Sequence, residues 1–340
     1  MPPINPDHIL RTGLAFWESK TLLSAVELGL FTALADGPLT AEQLRQRLQL
    51  HPRAVPDFPD ALLALGFLER EGEGADASYR NTPQTQRFLD RRSADYVGGW
   101  LEMANARLYP FWGNLTEGLQ TGRPQNELKN GGRSMFETLY EDPQRLEQFM
   151  DAMTGLSAAN FTRLAEQFDF SRYRSLADIG GATGQLARFV ARRHPQLRCT
   201  TLDLPAVTPI AARHIARDGL ADRVDAKPID FLAEPFPSTD VITMGMILHD
   251  WNLDVKRLLI GKAYAALPPG GCLIVVDNLI DDQRRSNTFG LLMSLNMLIE
   301  FGDAFDYSGA DFDRWAREAG FQRTEVIPLH GPGAAAIAYK

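Results

Sequence analysis

The sequence has little cysteine: Cys199 and Cys272 are the only two among 340 residues, and each begins or lies inside an apolar run. We therefore expect two small buried side chains and no disulfide framework. Long apolar segments are also missing, since Asp, Glu or Asn interrupts each one short of the roughly 20 residues that a membrane-spanning helix needs. The opening residues show no apolar stretch typical of a signal peptide. These absences predict a cytoplasmic protein with no membrane partner.

Excess positive charge is absent too. The chain has 35 Lys and Arg against 43 Asp and Glu, a net charge of -8. Proteins that bind nucleic acid neutralise phosphates with Lys and Arg, so this balance predicts no nucleic-acid partner. Histidines, cysteines and carboxylates do not cluster at the spacing of metal ligands, and we expect an enzyme that needs no metal.

A chain of 340 residues is longer than one ordinary domain, and its 44% apolar content supplies ample core. Composition and periodicity suggest three parts. We expect a winged-helix-like dimerisation domain over residues 1–100, a helical linker contributing to a substrate pocket over 101–170, and an α/β domain over 171–340.

The N-terminal part reads as mostly helical. Apolar residues recur at helical spacing from Pro6 to Leu34, and Thr40 with Gln43 forms a capping-box pattern before a second helix. A third helix is predicted through DALLALGFLER, and Tyr79 to Thr82 reads as one side of a small hairpin. This is a winged-helix pattern, but its candidate recognition segment is apolar and acidic, which disfavours DNA. We expect its apolar helices to form a homodimer instead.

Aromatic and Met residues are dense between residues 100 and 170, next to the point where the strand pattern begins. They are equally consistent with plain core and with the apolar wall of a small-molecule pocket. The side chains selected for such a pocket are Trp112, Phe136, Phe149 and Met153, together with Met293, Asn296 and Met297 from a later segment.

From residue 174 onward, apolar runs alternate with helical or loop segments, as buried parallel strands require. The runs are SLADI, RCTTLD, VDAKPI, DVITMG and CLIVVD, and a hairpin made of TEVIP and AAAIAYK closes the sequence. The predicted fold class is α/β, a Rossmann-like sheet of seven strands.

A glycine turn follows the first of these strands, in the run from Asp178 through Gly180 to Gly184. The spacing fails the dinucleotide fingerprint, which needs glycines at positions one, three and six. It fits the acidic-x-Gly-x-small-x-Gly signature of S-adenosylmethionine sites. Asp203, followed by Leu204, ends the second strand where a carboxylate can bind ribose hydroxyls. After the third strand, Asp230 and Phe231 offer a carboxylate to the adenine amino group and an aromatic face to its ring.

The fourth strand leads into His249. Four of the other histidines lie near the terminus or in polar contexts (His8, His51, His194, His214), and His330 lies in the final turn. Only His249 is placed at the same sheet edge as the cofactor residues. An imidazole with an ordinary pKa near 6.5 is suited to accepting a proton at neutral pH.

These motifs, with the LDLP and HDW runs and the helical N-terminal part, resemble the small-molecule O-methyltransferases of the caffeate, acetylserotonin and bacterial polyketide types. The resemblance spans nearly the whole chain. It implies S-adenosylmethionine as cofactor, S-adenosylhomocysteine as product, and His249 as general base. It also assigns the ribose contact to Asp203, the glycine-loop contact to Gly180 and the adenine-side acid to Asp230.

The sequence departs from the family pattern at several positions. Ala182 replaces the usual third glycine, and Gly245 stands where plant members carry a lysine that contacts the cofactor. The two glutamates that orient the histidine in plant members correspond to Asp277 and to Asp306, with Asp303 competing for the second role. We expect Asp277 to be the main orienting acid, since its strand-end position is fixed by the pattern.

The expected reaction is in-line methyl transfer to a hydroxyl of a small aromatic or polyketide-like acceptor, with His249 removing the proton. Other readings stay open. They are N-, S- or C-methylation, a relative that keeps the cofactor site but hydroxylates, and, more distantly, a winged-helix regulator.

Overall fold

The computed structural model describes residues 4–133, 139–141 and 143–340, apart from the side chains of residues 130, 143–145, 148, 151–153 and 156. The chain divides into two compact units, residues 1–110 (unit 1) and 111–340 (unit 2). The three-part division at residues 100 and 170 stays a prediction.

Unit 1 is mostly helical and carries a small sheet of three strands, β1 (Leu39–Thr40), β2 (Leu68–Glu71) and β3 (Ser78–Asn81), in the order β1-β3-β2. Its helices are α1 (Asp7–Leu14), α2 (Phe16–Glu27), α3 (Leu30–Leu34), α4 (Ala41–Arg47), α5 (Asp57–Ala64), α6 (Pro83–Phe88) and α7 (Gly98–Met103). Buried residues from α2, α3, α4, α5 and the sheet form one apolar core.

Two helix predictions in unit 1 were wrong in extent. The segment from Pro6 to Leu34 is three helices, and Gly29 with φ of 70° precedes the third. The helix through DALLALGFLER ends at Ala64, because Gly66 adopts a left-handed φ of 79° that ends helices, and the chain continues as β2. The predicted capping box is present: Thr40 Oγ1 accepts from the Gln43 amide at 3.3 Å, and Gln43 Oε1 accepts from the Thr40 amide at 2.8 Å.

Helix α8 (Tyr109–Trp112) lies at the boundary between the units. The helices of unit 2 are α9 (Leu115–Thr121), α10 (Pro143–Gln167), α11 (Gln185–Arg193), α12 (Thr208–Arg217), α13 (Leu253–Ala266), α14 (Thr288–Phe301) and α15 (Gly309–Ala319). Its strands are β4 (Ser175–Ile179), β5 (Arg198–Asp203), β6 (Val224–Pro228), β7 (Val241–Gly245), β8 (Cys272–Asp277), β9 (Arg323–Pro328) and β10 (Ala334–Tyr339).

These seven strands form one sheet in the order β6-β5-β4-β7-β8-β10-β9, which confirms the predicted fold class. Strands β4 to β8 pair in parallel, and β10 runs antiparallel to both β8 and β9. All six residues of β8 are buried, as the continuous apolar run requires. The strand order reverses between β4 and β7, so their carboxyl ends flank the crevice where open α/β sheets bind ligands.

Candidate active site

The glycine turn after β4 is shaped for close backbone approach. Gly180 and Gly184 have φ of 66° and 70°, a left-handed conformation that glycine adopts without strain. A Cβ at Gly180 would lie 2.4 Å from Ile247 Cδ1, and one at Gly181 would lie 2.1 Å from Thr201 Oγ1. A side chain at either position would therefore collide with Ile247 or Thr201, and the turn packs closely against its neighbours.

Asp203 at the end of β5 holds this turn from the neighbouring strand. Its Oδ2 accepts a hydrogen bond of 2.9 Å from the amide of Ala182, and its Oδ1 accepts one of 2.7 Å from the amide of Leu204. Ala182 itself has φ of 49°, so the alanine tolerates the left-handed conformation. Burial raises the pKa of Asp203, and the two amide bonds oppose that rise. One carboxylate thus links the turn to the strand end predicted to bind ribose.

Asp178 lies beneath the turn, and its contribution to a bound cofactor stays a prediction. It is buried, and Thr243 Oγ1 donates a hydrogen bond of 2.7 Å to its Oδ1. Burial raises the pKa of Asp178 to about 7. Its Oδ2 would lie 2.6 Å from a Cβ at Gly181, so Asp178 occupies the space beside the glycine turn.

Asp230 and Phe231 follow β6, and the structure gives them different surroundings. Asp230 is exposed, and its Oδ1 accepts from the amides of Leu232 and Ala233 at 3.0 and 3.2 Å, which fixes the turn. Phe231 faces the glycine turn, with Cε1 3.7 Å from the position of a Cβ at Gly180. The ring meets Trp251 edge to face at a centroid distance of 6.0 Å.

Gly245 ends β7 and has no room for a side chain. A Cβ there would lie 2.7 Å from Cζ of Phe161, a buried residue of α10. The lysine that plant relatives carry at this position therefore cannot enter this structure without displacing Phe161. Any contribution of Gly245 to a bound cofactor would come from its backbone.

His249 lies in the short 3₁₀ turn Leu248–Asp250 just after β7, and it is buried. Its Nε2 is 3.3 Å from Oδ1 of Asp250, and its Nδ1 is 3.6 Å from Oδ1 of Asp306. A carboxylate therefore stands at each nitrogen of the imidazole, although 3.6 Å is slightly longer than a hydrogen bond.

These carboxylates change the acid–base behaviour expected for His249. Burial alone lowers the pKa of an imidazole, but Asp250, Asp306 and Asp277 outweigh it and raise the pKa of His249 to about 10. The surroundings of His249 therefore raise its pKa above the ordinary value of an imidazole, near 6.5, on which the sequence-based expectation rested. A base of this strength matches the ordinary pKa of a phenol, near 10. At pH 7, however, only a very small share of the protein molecules carry the neutral imidazole that can accept a proton.

The two orienting acids exchange the roles that we expected. Asp277 is buried at the end of β8, and its Oδ2 accepts a hydrogen bond of 2.6 Å from the hydroxyl of Tyr307. Asp306 is the acid beside Nδ1 of His249. Asp303, its competitor, is exposed and accepts from Nδ2 of Asn252 at 2.8 Å. Burial raises the pKa of Asp277 to about 7.

Two of the side chains selected for a pocket are in contact within unit 2. Nε1 of Trp112 donates a hydrogen bond of 2.9 Å to Oδ1 of Asn296 on α14. On the same helix Met297 is buried and Met293 half-buried, while Phe149 packs against a separate cluster around Leu146. Phe136 and the side chain of Met153 lie outside the described residues.

Sequence reasoning missed three residues of the cluster around His249 and misplaced another histidine. Asp250 and Tyr307 contact the cluster directly, and Lys256 is completely buried beside it. The adjacency of His and Asp in the HDW run was a usable signal for Asp250; nothing in the apolar periodicity marks the other two. His214, expected in a surface-like context, is buried, and its Nδ1 lies 2.8 Å from Nη2 of Arg217.

In the part of the chain that the structure describes, no helix combines the length and apolar character needed to cross a membrane. The same residues contain no group of three or more His, Cys, Asp or Glu arranged to hold a metal ion. Metal independence and a cytoplasmic location stay predictions.

A Rossmann-like sheet with a glycine turn, a carboxylate on the next strand and a buried histidine at the same edge matches the site expected of an S-adenosylmethionine-dependent methyltransferase. Two family models match the chain: an O-methyltransferase domain over residues 112–322 and an O-methyltransferase dimerisation domain over residues 10–91. The chain therefore belongs to the O-methyltransferase family, and its methyl donor is S-adenosylmethionine.

Individual relatives and a solved structure are similar to this chain over most of its length. The tetracenomycin polyketide synthesis 8-O-methyl transferase TcmO of Streptomyces glaucescens is 42% identical over 98% of this chain and 97% of its own. The N,N-dimethyltransferase OxyT of Streptomyces rimosus is 39% identical over 94% and 92%. The crystal structure of human N-acetylserotonin methyltransferase with S-adenosylmethionine has a TM-score of 0.89 at 26% identity, covering 100% of this chain and 99% of that one.

Proposed function

We propose that the chain methylates a hydroxyl group of an aromatic, polyketide-like compound, with His249 as the general base. The observation that carries this proposal is the buried imidazole of His249 between the carboxylates of Asp250 and Asp306, at the sheet edge that also bears the glycine turn. The similarity to TcmO, whose name specifies 8-O-methyl transfer in polyketide synthesis, supports the acceptor class.

The residues at the crevice fit the cofactor. The turn that carries Gly180 and Gly184, both in the left-handed conformation, brings backbone without a Cβ to the strand end and suits the amino-acid end of S-adenosylmethionine, and Asp203 with Leu204 suits its ribose. Phe231 suits the adenine ring, and Asp230 would reach the adenine only if its carboxylate leaves the amides that it now accepts from. When bound, the cofactor supplies an electrophilic methyl group.

The protein's own task is to position the acceptor and remove its proton. Nε2 of His249 would take the hydroxyl proton, competing with Asp250 for that nitrogen. Asp306 at Nδ1 would fix the ring and stabilise the imidazolium that forms, while Asp277 acts more distantly through its charge. A positioned base contributes about 10² to 10⁴ in rate.

We propose that α14 forms one wall of the acceptor pocket. Trp112 donates a hydrogen bond to Asn296 on this helix, and the same helix carries the half-buried Met293 and the buried Met297. Aromatic and thioether side chains of this kind suit a flat apolar ring system. The contributions of Phe149, Phe136 and Met153 stay predictions.

N-methylation is the second candidate, because OxyT, named an N,N-dimethyltransferase, is nearly as similar as TcmO. A deciding experiment compares hydroxynaphthoic acids with the aminonaphthoic acids of the same substitution pattern, using isotope-labelled S-adenosylmethionine and mass spectrometry. Label transferred to the hydroxyl compounds, and lost in His249→Ala, supports the proposal. Label on the amines alone overturns it.

The dimerisation domain indicates an assembly, and we propose a homodimer formed by unit 1. Its first two helices expose large apolar side chains that water disfavours, namely Ile9, Leu10, Leu14, Phe16 and Trp17, each at least 41% exposed. Burial of this face against a second copy would remove them from solvent.

A further inference from the structure

Lys262 on α13 binds the loop that follows β6, residues 230–234, which we call the adenine-side loop. Its Nζ donates three hydrogen bonds to carbonyl oxygens of this loop, at 2.9 Å to Phe231, 2.6 Å to Leu232 and 2.9 Å to Glu234. An ammonium group has three N–H donors, so the loop accepts from all of them. The helix fixes the backbone of the lysine, and the lysine therefore fixes the loop to α13.

The amides and the carbonyls of the adenine-side loop have different partners. Oδ1 of Asp230 accepts from the amides of Leu232 and Ala233 at 3.0 and 3.2 Å, and the carbonyl oxygen of Asp230 accepts from the amide of Glu234 at 2.7 Å. Oε1 of Glu234 accepts in return from the amide of Asp230 at 2.8 Å. Asp230 thus satisfies the amide side of the turn, while Lys262 satisfies its carbonyl side.

Both residues proposed to contact the adenine belong to this loop. Cε1 of Phe231 lies 3.7 Å from the position of a Cβ at Gly180, and the carbonyl oxygen of Phe231 is one of those bound by Lys262. Asp230 is the preceding residue. A displacement of the loop away from α13 would therefore move both proposed contacts relative to the glycine turn.

A contribution to the stability of the fold alone is the plainer explanation for Lys262, because lysines often bind the free carbonyls at the end of a helical turn. Residues 232–235 are exposed, however, so burial of apolar surface contributes little to the position of this loop. Its position depends instead on hydrogen bonds, and the three to Lys262 join it to α13.

We propose that Lys262 is a positioning residue that holds the adenine-side loop where Asp230 and Phe231 can contact the adenine, and that it thereby sets the preference of the site for this base. The inference deepens the proposed cofactor contacts and rests on them for its effect on binding. Asp230 must give up amides of the loop to reach the adenine, and the bonds to Lys262 would hold the turn in place during that exchange.

The test compares two ligands by calorimetry. They are S-adenosylhomocysteine and its analogue with purine in place of adenine, which lacks the 6-amino group. A site that hydrogen-bonds an amino group rejects the analogue without it, so the ratio of the two Kd values reports the contact. K262M removes the three donors and keeps an apolar stem. K227M is the matched control, because Lys227 on β6 lies three residues before the loop, is exposed, and pairs with Asp225 at 3.8 Å.

Hydrogen exchange in the cofactor-free protein is the second readout, and it needs neither cofactor nor acceptor. We expect the amides of Leu232, Ala233 and Glu234 to exchange about tenfold faster in K262M, because the turn that protects them loses its attachment to α13. The same amides should exchange at the wild-type rate in K227M.

We expect K262M to raise the Kd for S-adenosylhomocysteine about tenfold, the lower end of what a hydrogen bond to a charged group contributes. The Kd for the purine analogue should change much less, so the preference for adenine falls. K262Q can donate two of the three bonds and should lie in between, and it decides the test if K262M does not fold. An unchanged ratio of Kd values in K262M would overturn the proposal, even with a lower Tm. An equal change in K227M would also overturn it.

D230S separates this inference from the proposed role of Asp230. Serine caps a helical turn about as well as aspartate, so the loop amides keep an acceptor, but the carboxylate for the adenine is gone. A ratio that falls in D230S but not in K262M overturns the positioning role of Lys262. A ratio that falls in K262M but not in D230S contradicts the adenine contact of Asp230 and supports Lys262 as the residue that positions the loop.

Discussion

Oδ1 of Asp306 lies 3.6 Å from Nδ1 of His249, and the amide of Asp306 is in turn held by Oγ of Ser294 at 3.2 Å. The backbone of Asp306 is therefore anchored on α14, the helix proposed to line the acceptor pocket. A shift of that helix on acceptor binding would move Asp306 relative to His249.

Removing the base should abolish most hydroxyl methylation. We expect His249→Ala to lower kcat about 10² to 10⁴-fold while calorimetry still detects S-adenosylhomocysteine. The deficit should shrink toward pH 10, where a phenol supplies its own anion. Activity that stays at the wild-type level from pH 7 to 9 would show that His249 is structural.

Replacing the orienting acid should change both rate and pH dependence. Because carboxylates raise the pKa of His249, Asp306→Asn should lower that pKa and move the rising limb of kcat/KM to lower pH. We also expect kcat at the plateau to fall roughly 10 to 10²-fold, since the imidazole loses its partner. Asp303→Asn is the matched control, and an equal effect there would contradict the assignment of Asp306.

The carboxylate of Asp203 should matter for both cofactor and turn. Asp203→Ala removes bonds to a charged group worth about 1.5 to 3 kcal/mol each, so the Kd for S-adenosylhomocysteine should rise at least tenfold. The same change releases the amides of Ala182 and Leu204, and Tm should fall as well. Asp225→Ala, at an exposed position on β6, should leave both quantities near wild type. An unchanged Kd in Asp203→Ala would remove this residue from the site.

The space at Gly245 is filled by Phe161, and a double-mutant cycle tests this. Gly245→Ala should destabilise the protein by about 1 to 3 kcal/mol, because the new Cβ would lie 2.7 Å from the ring. Phe161→Leu should recover part of that loss in the double variant. Additive losses in denaturant unfolding would show that the two positions do not compete for space.

The exposed apolar face of unit 1 should govern assembly. Trp17→Glu places a charge on a side chain that is 59% exposed, and we expect sedimentation to show monomers at micromolar concentration where the wild type is a dimer. Leu119→Glu is the control, at an equally exposed position in unit 2. A monomeric wild-type protein would refute the proposed homodimer.

The sequence was most informative where one local pattern decides the structure. The apolar run of β8 and the glycine turn at Gly180 were predictable because burial and backbone conformation each demand a particular residue type. The break at Gly29 was missed because the apolar period continues across it. The choice between Asp277 and Asp306 depends on Tyr307, whose hydroxyl captures Asp277. That contact arises from tertiary packing, and neither spacing nor composition reveals it.

Strand β10 lies between β8 and β9 although it follows both in the sequence. During synthesis, β8 must therefore keep one edge open until residues 334–339 have left the ribosome. That edge belongs to the most apolar strand of the sheet, with Asp277 at its end. An open apolar edge is a template for pairing with other chains. We therefore expect the nascent chain to pass through a stage in which this strand, which ends in the proposed orienting acid Asp277, can pair with chaperones or with other chains.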